Sequence, residues 1–399
     1  MRHIGQAYLE RCFAKAGILL DGTRPWDMRV TDRRVFGRVL TGGPVGLGDA
    51  YVDGWWECDA LDQWFDRCLR ADLPKAGAWH PGVIGRCLRE RLVNLQSPRR
   101  AGRNVRAHYN LGNDLFEAML DPRMVYSCGY WARTHSLAQA QEAKLDLICR
   151  KLGLASGMRV LDIGCGWGGL AEYAASHYGC DVVGITMSPQ QAEWARRRCE
   201  GLAVDIRLQD YREVDERFDR VVSVGMFEHV GQKNHRSYMN SVRRCLGAEG
   251  LCLLHFFATQ RPWPNRLDSE VIWVARHIFP GMVVPTLGQV GRALEDSRFV
   301  VEDLQNFGAD YDPTLMAWFD NFDRNWPKLR ESYGERFYRM WKYYLRTCAG
   351  AFRSRKYQVW QMVLSPAGVP GGYRVRPGYD LSLAAPIKRP EPLATGQPV

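Results

Sequence analysis

The chain has 399 residues, of which 46% are hydrophobic and 25% are charged, and its net charge is +10 at pH 7. This balance is typical of an ordinary globular protein, and the length exceeds one average domain, so we expect two domains. No apolar run reaches the roughly 18 residues that can span a bilayer, and the charges scattered through the N-terminus are unlike those of a signal peptide. These features exclude a membrane-spanning chain and predict a cytoplasmic protein.

The positive net charge favours an anionic partner, either a nucleic acid or an anionic membrane surface. Seven arginines and a single acid, Glu90, lie between Arg86 and Arg106, and apolar residues recur at helical spacing from Ile84 to Leu95. This pattern is typical of a basic amphipathic helix that contacts a membrane, and equally of a helix packed on the core with a solvated arginine face. The twelve cysteines lie singly, which predicts reduced thiols and no metal site.

In chain order, the pattern predicts a smaller, mainly helical N-terminal domain over residues 1–85, with a turn-rich stretch at 41–48. The basic segment at 86–107 links this domain to a catalytic domain at 108–369. In the catalytic domain, strands alternate with helices, which predicts a mostly parallel, doubly wound α/β sheet of the Rossmann-like class. The Pro- and Gly-rich residues 370–399 are predicted to form a flexible tail.

Seven strands and five helices are predicted in the catalytic domain. The strands are 158–163, 181–186, 204–208, 218–224, 251–255, 299–304 and 357–364. The helices are 138–152, 168–178, 188–200, one that ends near Leu246, and one from about 333 to 351.

The first of these strands runs into a glycine-rich turn and then a helix, with the sequence LDIGCGWGG at 161–169. Such a turn brings backbone N–H groups and a helix N-terminus close to a ligand. Two patterns fit it, and either match alone is weak. The dinucleotide pattern GxGxxG uses Gly164, Gly166 and Gly169, whereas the acidic glycine loop of methyltransferases uses Asp162, Gly164, Gly166 and Gly168.

Two features separate these alternatives. A nicotinamide enzyme needs an acid at the end of the second strand, but no acid lies between residues 182 and 192. The third strand is followed by Asp210 and Tyr211, which can accept a hydrogen bond from an adenine amino group and stack on its ring. We therefore predict a class I methyltransferase fold that binds S-adenosylmethionine. The chain lacks the DPPY or NPPY signature of amino-directed nucleic-acid methylation, so we expect no nucleic-acid partner.

Several further motifs resemble those of the cyclopropane-fatty-acyl-phospholipid synthase family, and the resemblance covers nearly the whole chain. Besides the glycine loop, the motifs are GLGDAYVDGWW at 46–56, HYNLGNDLF at 108–116, YSCGYW at 126–131, SVGMFEHVG at 223–231, LLH at 253–255, IFPG at 278–281, FGADY at 307–311 and CAGAF at 348–352. The N-terminal match favours members that modify phospholipids. The resemblance as a whole implies a protein that docks peripherally on the inner face of the membrane, and it suggests a homodimer.

The resemblance implies that a methylene group is transferred from S-adenosylmethionine across a cis double bond of a phospholipid acyl chain. The alkene attacks the sulfonium methyl group and leaves a carbocation, which must lose a proton before the ring closes, so a base is needed. In the family the base is a bound bicarbonate, which the resemblance places against Cys128, Glu228, His255 and Tyr311. The pattern alone makes Glu228 a strand-end acid, His255 the last residue of an apolar strand, and Tyr311 a loop residue.

Ten residues are expected to bind the methyl donor, from the loop pattern and the resemblance together. They are Tyr126, Ser127, Asp162, Gly164, Gly166, Trp167, Thr186, Gln191, Asp210 and Tyr211. Phe256 and Phe257 depart from the relatives, which carry a small polar residue and then an aliphatic one, and this departure is expected to narrow the acyl channel. Two alternatives stay open: a C- or N-methyltransferase that stops before ring closure, and a noncatalytic lipid-surface protein that binds the cofactor.

Overall fold

The computed structural model describes residues 2–73, 96, 111–132, 134–260 and 269–373. The basic segment at 86–107, the predicted domain boundary before it and residues 374–399 of the predicted tail lie outside these ranges, apart from Gln96. None of the helices in the described ranges is long and apolar enough to cross a membrane.

The N-terminal region is mainly helical, as predicted. In chain order it contains α1 (Arg2–Lys15), β1 (Arg29–Val30), α2 (Arg34–Val52), β2 (Trp56–Glu57) and α3 (Leu61–Arg70). Its buried side chains belong to the same hydrophobic cluster as those of a long helix near the C-terminus. Arg353 of that helix pairs with Asp62 of α3 at 2.6 Å, so the two regions are joined by charge as well as by apolar contact.

The prediction of a turn-rich stretch at 41–48 is wrong, because these residues lie within α2. The helix has a single interruption at Gly43, where φ is +56°, and Pro44 begins the next helical turn. Gly48 serves close packing instead: an added Cβ would lie 2.6 Å from the Trp273 ring. The glycines that suggested turns therefore provide one kink and a tight helix contact.

Seven strands form one sheet in the described part of the chain, and each matches a predicted strand. They are β3 (Arg159–Ile163), β4 (Asp181–Thr186), β5 (Val204–Leu208), β6 (Phe218–Val224), β7 (Leu246–Thr259), β8 (Val300–Asn306) and β9 (Tyr357–Ser365). The order is β5-β4-β3-β6-β7-β9-β8, in which the first five strands are parallel and β9 is antiparallel to both neighbours. The predicted Rossmann-like, doubly wound α/β sheet is confirmed.

Helices cover the sheet, and their first residues show why they start where they do. After the N-terminal region they are α4 (Asn113–Met119), α5 (Leu137–Lys151), α6 (Gly169–Tyr178), α7 (Pro189–Arg198), α8 (His235–Cys245), α9 (Ser269–His277), α10 (Leu287–Asp296) and α11 (Gly308–Arg353). Ser136 caps α5, Ser188 caps α7 with Pro189 in its first turn, and Thr286 forms a capping box with Gln289.

The long helix α11 corrects the prediction of a helix that begins near residue 333. It begins at Gly308 and contains Pro313 and Pro327, and it is interrupted only at Gly334, where φ is +74°. Prolines and glycine normally end a helix, which is why the pattern suggested a later start. Tyr311 consequently lies in the first turns of α11, and the prediction that it is a loop residue is wrong.

Candidate active site

Two cavities adjoin each other at the carboxyl ends of the parallel strands, where this kind of sheet binds its ligands. The first, the cofactor cavity, has a volume of about 170 Å³, and the second, the acyl cavity, has a volume of about 90 Å³. The walls that both cavities share are formed by Tyr126, Ser127, Gly225 and His229. A ligand in one cavity can therefore touch a ligand in the other.

All ten residues predicted to bind the methyl donor line the cofactor cavity. The glycine loop forms its floor between β3 and α6. Gly164 has a φ of +85°, and a Cβ there would lie 3.1 Å from Met226, so only glycine fits the turn without strain. Thr186 donates to Gln191 at 2.9 Å, which holds the end of β4 against α7.

Asp162 is buried under the glycine loop, and its Oδ2 has no hydrogen-bond partner among the described residues. Desolvation raises the pKa of this carboxyl to about 7, although the nearby Lys144 acts in the opposite direction. An unpaired buried acceptor of this kind fits a ligand that carries hydrogen-bond donors, such as the ammonium group of S-adenosylmethionine.

Asp210 and Tyr211 follow β5 at the other end of the cofactor cavity. Asp210 accepts from the backbone N–H of Arg212 at 3.0 Å and from its guanidinium at 2.8 Å. The Arg212 guanidinium also lies 4.5 Å from the Tyr211 ring centroid. Asp210 and Tyr211, the two residues expected to contact the adenine, are thus both held by the Arg212 guanidinium.

All four predicted catalytic residues line the acyl cavity. They come from four places in the fold, since Glu228 follows β6, His255 lies on β7, Tyr311 lies on α11, and Cys128 precedes α5. His255 pairs with Val224 across the sheet, and its carbonyl oxygen accepts from Gly225 N–H at 2.8 Å. The remaining wall is largely apolar and includes Val274, Phe279, Met282, Leu315 and Phe352.

Glu228 is completely buried. Its Oε1 accepts from the backbone N–H of Phe257 at 2.6 Å, and its Oε2 has no partner among the described residues. Desolvation raises the pKa of Glu228 to about 7, despite the backbone hydrogen bond. Burial therefore favours the protonated form of Glu228, and Oε2 is free for a ligand.

The three other groups are held in their neutral forms. Desolvation, with the cations Lys144 and Lys151, lowers the pKa of His255 well below its usual value, and His255 Nδ1 lies 3.3 Å from Gln361 Nε2. Desolvation also raises the pKa of Tyr311 and of Cys128 well above their usual values. The Cys128 thiol donates to the Gly129 carbonyl at 3.2 Å. Tyr311 can thus donate a hydrogen bond to an anion.

The cavity residues missed from the sequence include Lys144, His229 and Tyr344, whereas Phe257, which was expected to narrow the acyl channel, does line the acyl cavity. Tyr344 and Tyr126 share a hydroxyl hydrogen bond of 2.8 Å. Lys144 had a usable signal, because it interrupts the apolar face of the predicted helix at 138–152. His229 also had one, since it follows Glu228 directly.

The sheet order, the glycine loop and the adjoining cavities define an S-adenosylmethionine-dependent enzyme of the class I methyltransferase fold that transfers a one-carbon unit. A solved structure agrees: mycolic acid cyclopropane synthase CmaA1, complexed with SAH and CTAB, superposes with a TM-score of 0.63 and 32% identity over 66% of this chain and 98% of that one.

The family model for mycolic acid cyclopropane synthetase matches residues 96–362, and the chain belongs to this family. The cyclopropane-fatty-acyl-phospholipid synthase of Escherichia coli (strain K12) is 51% identical over 362 residues, which are 91% of this chain and 93% of that protein. Sphingolipid C9-methyltransferase A of Emericella nidulans is 34% identical over 275 residues, 65% of this chain and 53% of that protein.

Proposed function

We propose that the protein is a cyclopropane-fatty-acyl-phospholipid synthase, which transfers a methylene group from S-adenosylmethionine across a cis double bond of a phospholipid acyl chain. The observation that carries the proposal is the group of Cys128, Glu228, His255 and Tyr311 in a largely apolar cavity that shares walls with the cofactor cavity. The similarity to the Escherichia coli synthase over nearly all of both chains supports it.

The arrangement suits the chemistry of an alkene. The apolar wall of the acyl cavity can hold a hydrocarbon chain, and the shared wall lets the double bond approach the sulfonium methyl group. The π electrons form the new C–C bond while the methyl–sulfur electrons stay on sulfur, which gives S-adenosylhomocysteine and a carbocation. Loss of a methyl proton then leaves its electron pair to close the ring, so the polar cluster must accept or relay that proton.

We further propose that Cys128, Glu228, His255 and Tyr311 hold a bicarbonate ion. The residues fit such a group, because Glu228 has an unpartnered Oε2 and is protonated in part near neutral pH, and Tyr311 is a neutral donor. A bicarbonate ion held by these residues would supply a base for the methyl proton. The neutral His255 and the backbone-bound Glu228 keep the cluster oriented, and burial excludes water from the cation.

We also propose that the enzyme is cytoplasmic and binds the inner face of the membrane through residues 1–85 and the basic segment at 86–107, and that it forms a homodimer. The net charge of +10 supports attraction to anionic lipid, since each basic residue near such a surface contributes about 1 kcal/mol.

The second candidate function is methylation without ring closure, which the similarity to a sphingolipid methyltransferase favours. The two functions are distinguished by whether the product contains a cyclopropane ring. The purified protein is incubated with S-adenosylmethionine and liposomes of unsaturated or saturated phospholipid, and the acyl methyl esters are analysed by mass spectrometry and proton NMR. We expect a gain of one CH₂ with upfield cyclopropyl protons from the unsaturated lipid only. The same mass gain without ring protons would establish methylation, and no gain with retained cofactor binding would establish another substrate or a noncatalytic role.

The cluster is tested with Glu228→Gln and the matched surface variant Glu249→Gln, which changes an exposed glutamate. Glu228→Gln should lower turnover by on the order of a hundredfold or more, with little change in cofactor affinity. Glu249→Gln should behave as the unmodified protein. Activity in CO₂-depleted buffer should fall and return on addition of bicarbonate, and full activity without bicarbonate would refute its role.

A further inference from the structure

A buried lysine lies behind the cofactor cavity, and none of the steps above uses it. Lys144 on α5 has no exposed surface, lines the cofactor cavity and donates from Nζ to Ser127 Oγ at 2.8 Å. One turn earlier, Gln141 donates from Nε2 to the Ser127 carbonyl at 2.8 Å. Helix α5 therefore holds both the main chain and the side chain of Ser127.

The chemistry of the two groups sets the direction of the Ser127 hydroxyl. A lysine ammonium has only donors, so Ser127 Oγ must be the acceptor in this contact. The proton of Ser127 is then available to a different acceptor, and Ser127 lines both cavities. A hydroxyl that is polarised by a buried cation is a strong donor and favours an anionic acceptor.

Acidic side chains lie near Lys144. Desolvation lowers the pKa of Lys144 to about 8, while Asp121, Cys128 and Asp162 raise it. Asp121 is already engaged, because its carboxylate accepts from the backbone N–H groups of Arg123 and Val125 at 3.0 and 2.9 Å. Arg212, the guanidinium that also lines the cofactor cavity, is bound to Asp210.

We propose that Lys144 is a positioning residue that acts through Ser127 to form the binding site for the methionine carboxylate of S-adenosylmethionine. That carboxylate is the one anionic group of the cofactor, and the sulfonium and ammonium groups are cations. Ser127 donates to the carboxylate, Lys144 fixes the direction of that donation and supplies the compensating charge, and the unpartnered Asp162 oxygen faces the cationic part of the same ligand. The inference rests on the cofactor and not on the acyl substrate.

Two ligands separate the amino-acid part of the cofactor, which carries the carboxylate, from its adenosine part. S-Adenosylhomocysteine carries the complete amino-acid part, whereas 5′-methylthioadenosine lacks it and keeps the adenosine and the sulfur. Calorimetric titration of both ligands into the full chain, without lipid, compares the unmodified protein with Lys144→Met and Ser127→Ala. Lys144→Met should lower the affinity for S-adenosylhomocysteine by about tenfold to a hundredfold, which is the range expected for loss of a hydrogen bond to a charged group. The affinity for 5′-methylthioadenosine should change by less than about twofold.

The double variant completes the test, since residues that act as one unit are not additive. Adding Ser127→Ala to Lys144→Met should lower the affinity for S-adenosylhomocysteine by no more than about twofold beyond the effect of Lys144→Met alone. Equal weakening of both ligands by either variant would show a merely structural role and overturn the proposal. Unchanged affinity for S-adenosylhomocysteine would overturn it as well. If Lys144→Met fails to fold, Ser127→Ala alone must still weaken S-adenosylhomocysteine binding much more than 5′-methylthioadenosine binding. An equal effect on the two affinities would then overturn the proposal.

Discussion

The contact between Gly48 and Trp273 gives a sharp prediction for Gly48→Ala. Gly48 lies on α2, and Trp273 lies on α9, which leads into the segment that lines both cavities. A Cβ on Gly48 would lie 2.6 Å from Cδ1 and Nε1 of Trp273 and 3.0 Å from Cε1 of Tyr343. Real Cβ contacts are longer, so one of the rings must move.

Neither ring has free space to move into. Trp273 is 1% exposed, its ring centroid lies 4.6 Å from that of Tyr343, and its Nε1 donates to Asp49 Oδ1 at 3.1 Å. Overpacking of this kind costs about 1–3 kcal/mol. Replacing a helical glycine by alanine regains about 0.5–1 kcal/mol of backbone entropy. Taken together, these two ranges predict that the free energy of unfolding falls by up to about 2.5 kcal/mol, and by about 1 kcal/mol at their midpoints.

The assay is urea unfolding, with the free energy taken at constant m-value, together with kcat/KM on unsaturated liposomes. Gly37→Ala is the matched control, because Gly37 lies on the same helix and an added Cβ would meet nothing within 4 Å. The free energy of unfolding of Gly37→Ala should rise by about 0.5–1 kcal/mol. If Gly48→Ala gains stability as the control does, the tight contact between α2 and α9 is refuted.

Three other changes give separate tests. The pKa of Glu228 is raised from 4.5 to about 7, so the folded protein holds this proton more tightly than the unfolded chain does. The resulting stabilisation, about 3 kcal/mol, is fully present below about pH 4.5 and is lost as the pH rises to about 7. Urea unfolding of Glu228→Gln at about pH 5 and pH 7 should show a flatter dependence, and an unchanged slope would contradict the shift. Truncation after Tyr373 should leave the melting temperature unchanged, whereas truncation after Gly372 removes the 2.7 Å hydrogen bond from Tyr373 to the Lys151 carbonyl and should cost about 1 kcal/mol. Phe257→Ile should widen the acyl cavity and raise kcat/KM for bulkier unsaturated chains by about tenfold, measured by competition between two lipids, and an unchanged preference would contradict it.

The sheet and the glycine loop were predictable because local pattern alone specifies them. Most of the seven strands are largely apolar, and because parallel strands bring their carboxyl ends to one edge of the sheet, Asp162, Thr186 and Asp210 meet there. The placing of His255 near Glu228 was expected only from the family resemblance, and in the fold it follows from the pairing of β6 with β7.

The remaining features depend on contacts between distant segments, which no local pattern reports. The glycines at 41–48 signal a turn in isolation, but Trp273 packs against Gly48 from more than two hundred residues away, and that packing accompanies a helix. Pro313, Pro327 and Gly334 each predict the end of a helix. Burial of one face of α11 against the N-terminal region and the sheet nevertheless keeps the chain helical through both prolines, and only Gly334 interrupts it. Lys144 was recognisable as a charge on an apolar helix face, but its contact with Ser127 depends on the tertiary fold.

Phe256 and Phe257 lie on opposite faces of β7, so their side chains contact different parts of the molecule. Successive residues of a strand point to opposite faces, so Phe256 is buried against Phe227 on one side of β7, while Phe257 lines the acyl cavity on the other. The contact from position 257 to Glu228 is made by the backbone N–H and not by the side chain. Any residue except proline can provide that hydrogen bond. The side chain at this position can therefore change the shape of the cavity while Glu228 stays in place, so a change at Phe257 should alter which acyl chains are accepted before it alters the proton transfer.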